Sequence, residues 1–393
     1  MSKSLEYVDG RVVTDLAKRL IKNQSPSGNE KKLATLMAIE MKKAGFNLVQ
    51  YDEHNNIVGV MPGIGKGKTL VLVGHIDTVP PGEMVGAFDP QEVDGSKFGT
   101  RGKVITGRGS CDMKGALAAM ISAGSALKRA RARLKGNFVV VGLASTKNGN
   151  STGLKNLLKK FEIEPHFIVS CAPTNLQINT AHPGQATYEL VANGKMANIG
   201  NPKHGENAIL KMNKIIDCLQ QNVVLPEDKR FGKANMIISS VSSTPIGESH
   251  SIPNQCNALL VRQFFKGENP DEIKNSFIEI LKKNNFKEQD VAINLKRAFE
   301  PLDVNSKSEI ISVIEAAKDL AIGKGAKISQ WMSGVNISEI FDVNIPVVGF
   351  GPGDEKFAHT SLEHIPMDQI IKAAKVYTVL AEKICIQMKE KDS

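Results

Sequence analysis

Three short segments of the 393-residue chain carry side chains able to hold a cation or move a proton. The first, Gly74-His75-Ile76-Asp77-Thr78-Val79-Pro80, ends an apolar run. Residues two apart on a strand share a face, so Asp77 is expected beside the His75 imidazole. There it would fix the tautomer and leave the other ring nitrogen for a metal. The second segment, Gly107-Arg108-Gly109-Ser110-Cys111-Asp112-Met113-Lys114-Gly115, is a glycine-rich turn that opens a helix and presents Asp112 there. A carboxylate at that place either caps the helix or serves as a ligand. The third, Gly351-Pro352-Gly353-Asp354-Glu355-Lys356-Phe357-Ala358-His359, again comes after an apolar strand. A lone His-x-Asp reads as a hydrogen-bonded turn, whereas imidazole and carboxylate groups at three such loops point to one cleft.

The elements that must position these loops alternate between strand and helix. Apolar positions at helical spacing predict helices over 10–23 and 29–45, then strands over 47–51, 56–61 and 69–73. A helix over 114–128, a strand over 138–143, a helix over 153–161 and a strand over 166–170 continue the pattern. In open α/β sheets, sites form at the carboxyl ends of the strands, which is where His75 lies. From His182 the order becomes strand 186–193, helix 207–220, strands 235–242 and 257–264, helix 270–284 and strand 292–296, a compact two-layer unit. A helix over 308–320, a strand over 346–350 and a last helix over 367–388 then resume the first pattern. The expected fold is α/β: a mixed, mostly parallel sheet with helices on both faces, formed by 1–181 and 298–393 and interrupted by an inserted α+β lid at 182–297.

Composition sets outer bounds. With 41% hydrophobic and 23% charged residues the chain can bury a sizeable core, and disorder is not the default. The start has no apolar leader and no apolar run approaches the roughly 18 residues of a membrane span, so a cytoplasmic protein without a membrane role is expected. Five cysteines without CxxC spacing suggest neither a disulfide framework nor a thiolate zinc site. The net charge of +9 has its densest run at Lys128, Arg129, Arg131, Arg133 and Lys135. That run reads as a solvated helix end, because no aromatic residues interleave with it as nucleic-acid binding would require.

Together with Ser25-Pro26-Ser27-Gly28-Asn29-Glu30, Ala172-Pro173-Thr174-Asn175 and Gly205-Glu206-Asn207-Ala208-Ile209, these segments resemble the cocatalytic metallopeptidase family of acetylornithine deacetylase, succinyl-diaminopimelate desuccinylase, aminoacylase and carboxypeptidase G. The resemblance runs through nearly the whole chain. It implies an amidohydrolase with two zinc (or cobalt) ions, a catalytic α/β domain and an inserted lid through which homodimers form. By the family pattern His75 would bind one ion, Asp112 would bridge both, His359 would bind the other, and Asp77 would be the partner of His75.

Four positions depart from that pattern. Where the family has a Glu-Glu pair, a general base and then a metal ligand, this chain has Lys147 and Asn148. Ala172 stands for an acidic ligand, and Asn198 for the lid histidine that polarises the scissile carbonyl. Too few anions remain for a pair of dications. At most one divalent metal on His75, Asp112 and His359 is expected, or none, with the Lys147 ammonium taking the cation place and pairing with Asp112. Neither Cys171, expected as a buried thiol, nor His182, expected in a junction turn, replaces the lost ligands. Ligand recognition is better kept, since Arg262 matches an arginine that grips the substrate carboxylate, and Gly334 and Asn336 lie where backbone contacts to it are made. The chain is therefore expected to be a divergent member that binds acyl-amino acids or peptides in a binding or regulatory role; the alternative is a hydrolase of such compounds working with one metal or altered ligands.

Overall fold

A computed structural model describes residues 2–147, 153–246, 250–333, 345 and 347–388. Asn148, Gly334 and Asn336 lie outside the described residues. Two compact units emerge: one is built on His182–Leu302, the other on the chain before it, on Asp303–Trp331 and on the C-terminal stretch.

The larger unit is layered around a mixed nine-stranded sheet. Its centre is the strand Leu70–His75, parallel to Phe138–Leu143 on one side and to Phe167–Ser170 on the other. Val347–Gly349 continues the parallel set beyond Phe167–Ser170. Leu48–Tyr51 and Ile57–Met61 add antiparallel pairings at one end, and Ile178–His182 pairs antiparallel with Val347–Gly349 at the other. Every residue of Phe138–Leu143 is buried, as a strand covered on both faces must be. Helices Gly10–Lys22, Lys31–Ala44, Gly115–Arg129 and Met367–Glu382 pack with one another in this unit. The first begins at Asp9, whose carboxylate accepts from Arg11 N and Val12 N; the second stops at Gly45, left-handed at φ 97°. A small sheet of Glu92–Asp94, Lys103–Thr106 and His364–Pro366 has no counterpart in the periodicity, because three- and four-residue strands are too short to show alternation.

The smaller unit is a four-stranded antiparallel sheet, ordered Met236–Thr244, Gln255–Phe264, Gly184–Asn193 and Val291–Phe299, with helices Ala208–Asn222 and Pro270–Lys283. Gly184–Asn193 and Gln255–Phe264 alternate buried and half-buried positions. Their buried side chains, among them Tyr188, Leu190, Leu260 and Phe264, meet Met212, Ile215 and Phe277 of the helices in one core.

Candidate functional site

His75 is the last residue of the central strand and is delivered to the sheet's carboxyl edge by it. Its Nε2 lies 2.8 Å from Asp112 Oδ1. Its Nδ1 lies 2.9 Å from the backbone oxygen of Asp77 and 3.6 Å from that residue's Oδ1. The sequence places the Asp77 carboxylate against the imidazole; the structure puts the carbonyl there. The carboxylate is turned to other work, accepting from Ser27 Oγ at 2.6 Å, Thr146 Oγ1 at 2.8 Å and Lys147 N at 2.8 Å.

Asp112 is not a helix cap. The helix starts at Gly115, and both Asp112 and Met113 have non-helical dihedral angles, which aims the carboxylate across the cleft instead of along the helix axis. Its Oδ2 lies 2.9 Å from His359 Nε2 and accepts from Lys147 Nζ at 2.7 Å. Both oxygens of one buried carboxylate are thus occupied by two imidazoles and one ammonium. Burial works against ionisation of Asp112, but Lys147 and His75 nearby, and the hydrogen bonds with His359 and His75, hold its carboxyl well below the usual carboxylate range. Asp77 behaves alike: desolvation is outweighed by His75 and by the bonds from Ser27, Lys147 N and Thr146.

The loop that carries Lys147 comes after the strand Phe138–Leu143 and is pinned by three buried side chains. Asn56 Oδ1 accepts from Ala144 N at 2.7 Å, Glu30 Oε1 from Ser145 N at 2.9 Å, and Asp77 from Lys147 N. Ser145 adopts φ 55°, a left-handed conformation that this clamping holds. Glu30, in the Ser25–Glu30 segment, therefore shapes the site from a distance.

A second missed device is the ion pair of Arg108 and Glu363, both buried, at 2.5 Å. Glu363 Oε1 accepts from the N–H groups of Cys111 and Asp112, each at 3.1 Å. Arg108 donates to the carbonyls of Pro80, Pro81 and Thr360. One pair thereby ties the chain just past Asp77, the Asp112 turn and the segment after His359. Arg108 stands in the Gly107–Gly115 motif, but its partner lies 255 residues away.

Of the other candidates, Ala172 is buried, and its side chain, a methyl group, offers no lone pair. Cys171 is buried, with its thiol pushed up to about 12 by burial, and His182 is buried with its imidazole pushed down to about 4. Asn198 belongs to the smaller unit, is exposed, and accepts from Gly200 N at 2.8 Å. Arg262 is in the same unit, on the sheet face that the helices cover. It is buried and not a surface arginine: Nη2 donates to Glu268 at 2.8 Å, while Nε and Nη1 have no hydrogen-bond partner among the described residues.

Comparison with known proteins adds the ancestry of this arrangement. Residues 71–383 match the Peptidase family M20/M25/M40. An uncharacterized Escherichia coli protein, YgeY, is 26% identical over 384 residues, covering 94% of this chain and 93% of its own. The acetylornithine deacetylase of Myxococcus xanthus is 23% identical over 341 residues, 85% of each chain. The crystal structure of human carnosine dipeptidase 1 superposes with a TM-score of 0.78 at 14% identity, covering 98% of both chains, which establishes a shared fold.

Proposed function

The chain belongs to the Peptidase family M20/M25/M40, and from that ancestry we propose that it is a divergent member which binds N-acylated amino acids or short peptides without two-metal hydrolysis. The observation that carries the proposal is the Lys147 ammonium seated on Asp112 Oδ2 at 2.7 Å. Two dications need several anionic donors; here the bridging carboxylate already has both oxygens engaged, Ala172 supplies no donor, and Lys147 adds a positive charge. The residues do not fit a pair of metal ions. Lys147 instead serves as a fixed internal cation that neutralises Asp112 and keeps the three loops in register, in a binding or regulatory role.

The relatives named above include a deacetylase and a dipeptidase, which supports acyl-amino acids or peptides as ligands. A homodimer through the smaller unit belongs to the same proposal: its edge strand Met236–Thr244 exposes Ile237 and Val241, the kind of edge that pairs with a second copy. Among the described residues no helix is long and apolar enough to cross a membrane.

One observation favours an alternative. His75, Asp112 and His359 do converge, and three protein ligands plus water suffice for catalytic zinc, so a single ion could displace Lys147 and sustain hydrolysis. Metal analysis of protein purified without chelators, joined to calorimetric titration with N-acetyl amino acids and dipeptides, separates the two. Ligand binding without turnover and without stoichiometric zinc is the expected result. One or two tightly held zinc ions with amide cleavage would overturn the proposal.

A further inference from the structure

The densest run of basic residues in the chain, from Lys128 to Lys135, lies on the larger unit. The loop Gly63–Lys68 lies backbone to backbone on the segment after the helix Gly115–Arg129: Ile64 N donates to Leu134 O at 3.0 Å and Gly65 N to Lys135 O at 3.1 Å. Glycine makes this approach feasible, since a Cβ on Gly63 would stand 2.3 Å from Lys135 O and one on Gly136 2.2 Å from Lys68 O. Lys135 N is held in turn by Cys385 O at 2.7 Å. The result is a fixed surface on which Lys66, Arg131, Arg133 and Lys135 are all exposed. Among the described residues none of the four has a carboxylate partner within 4 Å, in contrast to Lys68, which pairs with Glu309.

A helix C-terminus favours cations in its last turn, which accounts for Lys128 and Arg129. It does not account for Lys66, Arg133 or Lys135, which sit beyond the helix. Nor does the fold call for Ile64, which stands between two glycines at the loop tip and is 83% exposed. An exposed apolar side chain on a loop bonded to a segment of exposed cations is the composition that suits an interface between water and acyl chains carrying anionic headgroups. We propose that this face is a peripheral docking surface for an anionic lipid bilayer, with Ile64 entering the headgroup layer and the four cations meeting lipid phosphates. The proposal departs from the expectation that this run is only a solvated helix end and that the chain has no membrane role, and it is independent of what the Asp112 centre does.

The test is cosedimentation of the full chain with vesicles of phosphatidylcholine containing about one-third phosphatidylglycerol. Binding is expected to these vesicles at low ionic strength, to be absent with phosphatidylcholine alone, and to disappear at about 0.5 M salt. The pair Lys66→Glu with Arg133→Glu is expected to weaken partitioning by at least about tenfold, and Ile64→Asp by about three- to tenfold. The pair Lys203→Glu with Lys229→Glu, of equal charge change on the other unit, is expected to leave most of the binding in place. No binding to anionic vesicles, equal loss in both charge-reversed pairs, or tighter binding to a single-stranded RNA oligonucleotide than to vesicles would overturn it.

Discussion

Replacing Lys147 by methionine keeps an unbranched side chain, one heavy atom shorter, and deletes its charge. In the native centre Nζ lies 2.7 Å from Asp112 Oδ2. A zinc ion bound to that oxygen at about 2.1 Å can stand no farther than about 4.8 Å from the ammonium. At an effective dielectric of about 20 the repulsion at that distance is about 7 kcal/mol, roughly five decades of affinity. Lys147 is 21% exposed and can avoid this by swinging outward, at the cost of its bond to a carboxylate that is only 9% exposed. Breaking a buried pair costs about 3–5 kcal/mol, which is the smaller penalty and therefore the one that governs. Lys147→Met is accordingly expected to bind zinc about 100- to 10,000-fold more tightly than the native chain near neutral pH. Competition against a chelator of known affinity measures the difference. Equal affinities in the two proteins, or a native chain that already holds two zinc ions tightly, would refute the electrostatic reasoning.

Changing Lys147, Asn148 and Ala172 together to Glu is expected to create affinity for two zinc ions, read by calorimetry; no gain would mean that these loops do not correspond to the family's metal-binding loops. Glu363→Gln breaks the buried pair with Arg108 and should cost about 3–5 kcal/mol, seen as a lower urea midpoint. Glu40 is held at about 2, chiefly by its hydrogen bond from Arg19 and against burial. A depressed folded value means stability that is present above the unfolded value near 4.5 and is lost as the pH falls toward 2. Because Arg19 is 49% exposed the effect is expected at about 1–2 kcal/mol, and Glu40→Gln should flatten melting temperature against pH in that window. The native chain is expected to sediment as a dimer at equilibrium, and Val241→Asp on the exposed edge strand as a monomer; a native monomer would refute the proposed pairing.

The alternation of strand and helix is legible because its elements are long and strongly periodic. The central strand expected over 69–73 is found at Leu70–His75, and the helix expected over 114–128 at Gly115–Arg129. The convergence of His75, Asp112 and His359 is legible for a related reason, since three loops at the carboxyl edge of one sheet have few other places to go. The pairing of Lys147 with Asp112 comes from charge alone. Contacts of side chains with groups far along the chain stay hidden. Glu30 reaches Ser145 across 115 residues and Arg108 reaches Glu363 across 255, and neither separation leaves a periodic trace. Asp77 departs from its expected place because strand alternation does not extend two residues beyond His75, where the strand ends and the backbone turns its carbonyl to the ring. Arg262 lies on the expected strand, but which face the helices cover cannot be read from a single strand.

The threefold engagement of Asp112 also bears on the history of the chain. A lone change of Lys147 to Glu would set a second carboxylate against Asp112, and a lone change of Ala172 to Glu would bury an acidic side chain where a methyl group now sits. On the proposed reading, removing the Lys147 charge alone favours one ion at Asp112, whereas a two-ion site needs several acidic substitutions together, so the lysine acts as a ratchet against two-metal hydrolysis.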